Sequence, residues 1–121
     1  MQAFVFDTYA LLEIIAGNPN YEKYLNSEVI INDFIFAELY YKLVREFDIE
    51  KSNFYSEKYA HFIMDIGVET IKEAMLFRAR NKKKNFSATD CIGYALALKL
   101  NVKLLTGDKA FEGVENVEYV K

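Results

Sequence analysis

The sequence contains few residues that could build a covalent or zinc-held framework. It has one cysteine, Cys91, and one histidine, His61, in 121 residues. A single cysteine excludes an internal disulfide, and one cysteine with one histidine is too few for a zinc site built from those ligands. Any bound metal must therefore be held by oxygen ligands.

Proline, glycine and long apolar runs are also scarce. The chain has one proline and five glycines, while 52% of its residues are hydrophobic. This composition predicts a single domain over residues 1–121 that is folded throughout. No apolar run approaches the roughly 18 residues of a membrane span, and the N-terminus has no basic region leading into a long apolar one. We therefore expect a soluble, cytoplasmic protein.

Positive charge is scarce on average but concentrated in one place. The formal net charge is -3, which argues weakly against a polyanionic partner. Five cations nevertheless fall within seven residues: Arg78, Arg80, Lys82, Lys83 and Lys84. The run either binds a polyanion or is a solvated helix end whose cations suit the negative end of the helix dipole. The sequence leaves both interpretations open.

Short apolar runs alternate with helical patterns along the chain. The predicted strands are residues 3–6, 29–31, 62–66, 103–105 and 117–120. The predicted helices are residues 8–16, 21–25, 34–47, 48–61, 69–80 and 91–100. Such alternation indicates parallel βαβ units with right-handed crossovers. The predicted fold is an α/β three-layer sandwich with a central, mainly parallel sheet flanked by helices.

The longest predicted helix, residues 34–47, has an apolar stripe at spacings of three and four. Its members are Phe36, Ala37, Tyr40, Leu43, Val44 and Phe47. Glu38 lies off this stripe and precedes Lys42 by four residues, which is the favourable spacing for an ordinary surface ion pair. Glu38 is therefore either half of such a pair or a residue with a chemical role.

Four acids occupy comparable places in the predicted elements. Asp7 and Asp108 close strands, Asp90 opens a helix, and Glu38 lies in the second turn of the helix that leaves the second strand. In an open α/β sheet, ligands bind at the carboxyl ends of the strands. The simpler alternative is that the three aspartates cap helices, since Ser87 and Asp90 have nearly the spacing of a capping box.

A cluster of these carboxylates would require positive charge. Two carboxylates about 4 Å apart repel by roughly 4 kcal/mol at an effective dielectric near 20. A cation or bound protons must offset that repulsion. Because hard oxygen ligands favour Mg²⁺ or Mn²⁺, such a cluster would indicate a divalent-metal site.

The ordered set of acids resembles the PIN domain family, and within it the VapC-like ribonuclease toxins of toxin–antitoxin pairs. The matching segments extend over the whole chain: Asp7-Thr8, FAELYYKL, SATDCIGYALA and LLTGDKAF. The resemblance implies that Asp7, Glu38, Asp90 and Asp108 are the acidic metal-binding quartet and that Thr106 is the polar residue before the last acid. It also implies a sheet of order 3-2-1-4-5, with the first and fourth strands adjacent.

The resemblance further implies a metal-dependent endoribonuclease. Mg²⁺ or Mn²⁺ would assist hydrolysis of the RNA phosphodiester bond. Lys82, Lys83 and Lys84 would hold the RNA backbone at the mouth of the site. Two alternatives share the fold: an RNA-processing nuclease with no toxin role, and a catalytically silent scaffold that only binds.

The partners implied by the resemblance are an antitoxin protein and a second copy of the chain. An aromatic group in the predicted helix 48–61 and just after it supplies candidate residues for the dimer surface: Phe54, Tyr55, Tyr59 and Phe62. The same residues could instead fill the core.

Overall fold

The computed structural model describes residues 1–121 and contains one parallel sheet flanked by helices. Its four strands are β1 (Ala3–Phe6), β2 (Glu28–Ile30), β3 (Lys103–Thr106) and β4 (Val117–Tyr119). They lie in the order β2-β1-β3-β4, and every neighbouring pair is parallel. This arrangement confirms the predicted three-layer α/β class.

Helices form the other two layers. The five α-helices are α1 (Thr8–Ile15), α2 (Asp33–Glu46), α3 (Ile49–Ala60), α4 (Val68–Arg80) and α5 (Ala88–Leu100). Short 3₁₀ helices cover Pro19–Tyr24, Lys82–Lys84 and Lys109–Phe111. None of the helices has the length and apolar character needed to cross a membrane.

The predicted third strand, residues 62–66, is not a strand. In this segment only Ile63 pairs, through one parallel bridge to Ile31 just beyond β2. Its neighbours Met64 and Asp65 are exposed, so the segment has no continuous apolar face to pack on a sheet. The predicted order 3-2-1-4-5 is therefore wrong in detail, because the sheet has four strands. The expected adjacency of the first strand and the strand at 103–106 is present, as β1 pairs with β3.

The face that helix α2 buries matches the predicted stripe only in part. Its buried residues are Ile35, Leu39 and Leu43, whereas Ala37 and Val44 are exposed. The cause is the contact with α5, where an added Cβ at Gly93 would lie 3.4 Å from Cδ1 of Ile35. This close approach of α2 to α5 brings Glu38 and Asp90 toward one side of the sheet.

Four aromatic rings join the segments on either side of the candidate site. Phe77 and Phe86 have ring centroids 5.3 Å apart, and Phe86 and Phe111 have centroids 4.6 Å apart. Tyr94 completes the group at 4.5 Å from Phe77. The contact between Phe86 and Phe111 therefore ties the segment before Asp90 to the turn after Asp108.

The aromatic residues of α3 and the turn after it divide between core and surface. Tyr59 is buried, so its prediction as a dimer-surface residue is wrong and the core alternative is correct. Tyr55 is half-buried and Phe62 is 39% exposed, while Phe54 is 74% exposed. Phe54 and, to a smaller extent, Phe62 are thus the aromatic residues of this group that remain available to a partner.

Candidate functional site

Three of the predicted acids meet at the carboxyl edge of the two central strands. Asp7 directly follows β1, Asp108 lies two residues beyond β3, and Asp90 lies in the first turn of α5. Each contributes a carboxylate oxygen to a group in which all the oxygens lie within 4.8 Å of one another. The sheet topology produces this group, because parallel neighbouring strands bring their carboxyl ends to one edge.

Glu38 lines the same cavity but lies outside this close group. The cavity has a volume of about 420 Å³, and its lining residues are Asp7, Tyr9, Leu12, Glu13, Glu38, Lys42, Ser87, Asp90 and Asp108. The predicted surface ion pair between Glu38 and Lys42 does not form, since the ion pairs of the chain are Lys72–Glu69 and Lys103–Glu118. Both side chains face the cavity instead.

Thr106 connects two of the carboxylates. Its side chain is fully buried, and Oγ1 donates a hydrogen bond of 2.7 Å to Oδ2 of Asp7. The same oxygen accepts a hydrogen bond of 3.1 Å from the backbone N–H of Asp108. Asp7 stands at the N-cap position of α1 but makes no side-chain capping hydrogen bond. The hydrogen bond from Thr106 therefore orients this carboxylate from β3.

Asp90 and Asp108 do cap helices, as the simpler alternative predicted. Asp90 and Ser87 form a complete capping box, with hydrogen bonds of 2.9 and 3.0 Å. Asp108 accepts a hydrogen bond of 3.1 Å from the N–H of Ala110. Each carboxylate uses one oxygen in its cap, and the other oxygen accepts no hydrogen bond. Capping thus fixes the carboxylate and still leaves an oxygen for a ligand.

The electrostatics of the site are unfavourable without a cation. Burial raises the pKa of Asp7 to about 7, the charges of Asp90 and Glu38 add to this rise, and the hydrogen bond from Thr106 opposes it. Burial is also the main cause that raises the pKa of Asp90, to which the charges of Asp108 and Glu38 contribute. Oxygen donors at this spacing, with excess negative charge, fit a hard divalent cation.

The predicted RNA-binding lysines lie outside the cavity. Lys82, Lys83 and Lys84 are exposed, none lines the cavity, and none forms an ion pair. Arg78 has a structural contact, because its Nε donates a hydrogen bond of 3.1 Å to the carbonyl oxygen of Phe86. The lysines are therefore free to contact a ligand that extends beyond the cavity.

Four further polar or aromatic residues of the cavity were not predicted as site residues: Tyr9, Glu13, Lys42 and Ser87. Helical spacing could have found them. Glu13 lies one turn beyond Tyr9 on α1, and Lys42 lies one turn beyond Glu38 on α2, so each pair shares a helix face. Ser87 precedes Asp90 by the three residues of its capping box.

Comparison with known proteins identifies a family and a group of similar folds. A family model described as the PIN domain matches residues 4–117. A search of curated proteins found no match. The solved structure of VapBC2 from Rickettsia felis, bound to a DNA fragment from their promoter, has a chain that is 17% identical, with a TM-score of 0.76. The alignment covers 99% of this chain and 100% of that one.

Two further solved structures share the fold at similar length. VapBC-1 from nontypeable Haemophilus influenzae has a TM-score of 0.73 at 17% identity, covering 98% of this chain and 96% of that one. A toxin–antitoxin complex from Klebsiella pneumoniae has a TM-score of 0.71 at 19% identity, covering 94% of both chains. At these identities the likeness establishes the fold.

Proposed function

This chain belongs to the PIN domain family, and we propose that it is a metal-dependent endoribonuclease acting as the toxin of a toxin–antitoxin pair. The observation that carries the proposal is the close group of Asp7, Asp90 and Asp108, whose oxygens lie within 4.8 Å of one another at the edge of the sheet. Acids brought this close, two of them with raised pKa values, are typical of a cation site rather than of a solvated surface.

In this proposal Asp7, Asp90 and Asp108 hold Mg²⁺ or Mn²⁺, and Glu38 adds negative charge from the cavity wall. When bound there, such an ion would supply Lewis acidity toward the phosphate and would make water a stronger nucleophile. Thr106 is a positioning residue, because its hydroxyl orients Asp7 and its oxygen holds the Asp108 backbone. Lys82, Lys83 and Lys84 contact backbone phosphates outside the cavity.

The toxin role is supported by the similar solved structures. Two of them are named VapBC and a third is a toxin–antitoxin complex, and each matched chain has nearly the same length as this one. By analogy, the chain acts in the cytoplasm and binds an antitoxin protein.

A homodimer is part of the same proposal. Exposed Phe54, at 74%, is a candidate contact residue, together with Phe62 at 39%. Light scattering at micromolar concentrations is expected to show the mass of two chains, and a monomer throughout that range would contradict the dimer.

The test is incubation of the purified protein with mixed cellular RNA and Mg²⁺ or Mn²⁺, followed by mapping of the cut ends. We expect defined cleavage that disappears in excess EDTA and in Asp7→Asn. Full activity in EDTA would contradict the metal centre. Growth arrest on expression, absent in Asp7→Asn, would support the toxin role, whereas cleavage without growth arrest would favour an RNA-processing enzyme.

A further inference from the structure

Lys42 is the one cation among the residues that line the acidic cavity. Five of the lining residues are acids, namely Asp7, Glu13, Glu38, Asp90 and Asp108. RNA is a polyanion, so five carboxylates at the cleavage site repel the strand that must enter it. A bound divalent ion offsets only part of that charge. The exposed basic run at residues 82–84 does not line this cavity.

The ammonium group of Lys42 is not paired with any acid. Glu38 precedes it by one helical turn and Glu13 lines the same cavity, yet Lys42 forms no ion pair with either. The side chain is exposed, so its charge is available to a ligand.

Lys42 also stands where two cavities adjoin. A second cavity of about 410 Å³ lies among α1, α2 and Tyr55 of α3 and shares Leu12, Glu13 and Lys42 with the acidic one. Arg45 lines this second cavity one helical turn further along α2. A strand that leaves the acidic cavity in this direction must pass Lys42.

We propose that Lys42 binds a backbone phosphate of the RNA next to the one that is cleaved, at the junction of the two cavities. The inference rests on the proposed function and adds a substrate contact to it. An ammonium group is a compact point charge with three donors, which suits a phosphate without demanding one orientation. Lys42 thereby directs the strand from the acidic cavity past the edge of the second cavity, toward Arg45.

The test measures RNA binding separately from cleavage. A fluorescently labelled single-stranded RNA of randomised sequence is titrated with the protein in Ca²⁺ at several salt concentrations, and binding is read by anisotropy. The variants are Lys42→Gln, Lys42→Arg and a matched control, Lys99→Gln. Lys99 is exposed in the last turn of α5 and does not line the acidic cavity, so its substitution removes the same charge elsewhere.

Lys42→Gln is expected to weaken RNA binding roughly tenfold at low salt. This factor corresponds to the lower end of the range that a hydrogen bond to a charged group contributes. It should also flatten the slope of log affinity against log salt by roughly 0.7. Lys42→Arg and Lys99→Gln should bind nearly as the wild type does. Mn²⁺ affinity, measured by calorimetry, should not fall in Lys42→Gln, because the variant removes a positive charge from the cavity wall.

Three outcomes would overturn the inference: equal binding by Lys42→Gln and wild type, an equal loss in Lys99→Gln, or a fall in Mn²⁺ affinity that accounts for the weaker RNA binding. The last would mean that Lys42 acts on RNA only through the metal site. Cleavage of RNA with binding independent of Lys42 would reject this inference and leave the proposed function intact. RNA binding that depends on Lys42, without cleavage in Mn²⁺, would support this inference and reject the proposed function.

Discussion

The hydroxyl of Thr106 donates a 2.7 Å hydrogen bond to the carboxylate of Asp7, joining the ends of β3 and β1. The same oxygen accepts from the N–H of Asp108 at 3.1 Å. One buried hydroxyl thus fixes the position of two proposed metal ligands. Because it favours the charged form of Asp7, it opposes the rise that burial causes in the pKa of that carboxyl.

Thr106→Val is expected to destabilise the protein by about 1–3 kcal/mol, because it leaves buried polar groups of Asp7 and Asp108 without this partner. It should also raise the pKa of Asp7 further. Mn²⁺ binding requires the deprotonated carboxylate, so the pH midpoint of Mn²⁺ affinity should move upward. Calorimetric titrations across pH measure this shift. Thr106→Ser keeps the hydroxyl, and an equal shift in that variant would contradict the role of the hydrogen bond.

Asp7→Asn and Asp108→Asn are expected to reduce cleavage to background while preserving the fold. Without metal, Asp7→Asn should melt higher than the wild type, because it removes a buried charge that Asp90 and Glu38 repel. Asp108→Asn keeps an oxygen acceptor for the N–H of Ala110 and should melt as the wild type does.

The control for these two variants is Asp65→Asn, which changes an exposed acid outside the cavity. It should retain both activity and melting temperature. A large fall in the metal-free melting temperature of both site variants would mean that Asp7 and Asp108 have a mainly structural role.

The stability of the metal-free protein should fall as the pH rises, because Asp7 loses its proton in the folded state. Its pKa is about 7 in the folded protein against an ordinary value of 3.8, so the folded state binds the proton more tightly than the unfolded state does. The stabilisation that comes from protonated Asp7 is complete below the pKa of this carboxyl in the unfolded chain. It is lost as the pH rises through the pKa of Asp7 in the folded protein. Raising the pH from about 5.5 to about 8 should cost about 2 kcal/mol through this group.

Urea unfolding in EDTA at the two pH values measures this cost. Asp7→Asn serves as the reference, because it lacks the titrating group, and its stability should depend less on pH. A wild type whose stability rose over this interval relative to Asp7→Asn would contradict the prediction.

The triple variant Lys82→Gln, Lys83→Gln and Lys84→Gln decides between the two interpretations of the basic run. If all three contact phosphates, the salt slope of RNA affinity should flatten by roughly 2, at about 0.7 for each contact. Because the side chains are exposed and unpaired, the melting temperature should change little. An unchanged slope with a lowered melting temperature would show that these lysines complement the helix end, at about 0.3–1 kcal/mol each.

Gly107 has no room for a side chain. An added Cβ would overlap the carbonyl oxygen of Val120 and the ring of Tyr9. Gly107→Ala is therefore expected to cost about 1–3 kcal/mol and to lower Mn²⁺ affinity, because the turn carries Asp108. Gly67→Ala is the control, since its added Cβ has no atom within 4 Å. Equal thermal melts and equal Mn²⁺ titrations for the two variants would contradict the prediction.

The acids were predictable because their signals are local. Asp7 directly follows an apolar run, and Asp108 follows another after a two-residue turn, so the sequence alone places both at strand ends. Asp90 is identified by its capping spacing to Ser87. The topology of a parallel sheet then brings the strand ends together. The order of these acids along the chain was therefore enough to predict that they meet at one edge of the sheet.

The surroundings of the acids were less predictable because they depend on contacts between distant elements. The spacing of apolar residues predicts a buried stripe on α2 that includes Val44. In the structure Val44 is exposed, and the helix instead buries Ile35 against α5 at Gly93. The place of Lys42 beside the acids follows from that packing. The sequence of residues 62–66 predicts a strand, although pairing there is limited to the bridge at Ile63.

The position of β1 in the middle of the sheet has a consequence for how the protein is synthesised. Asp7 leaves the ribosome well before its partner Thr106, which follows 99 positions later. Strand β1 therefore pairs with β2 first and gains its second neighbour, β3, only after the intervening helices have been synthesised. Until then the carboxylates are far apart and unsupported. An incomplete nascent chain consequently has no assembled site, even while it lies beside the messenger RNA and the ribosome that are producing it.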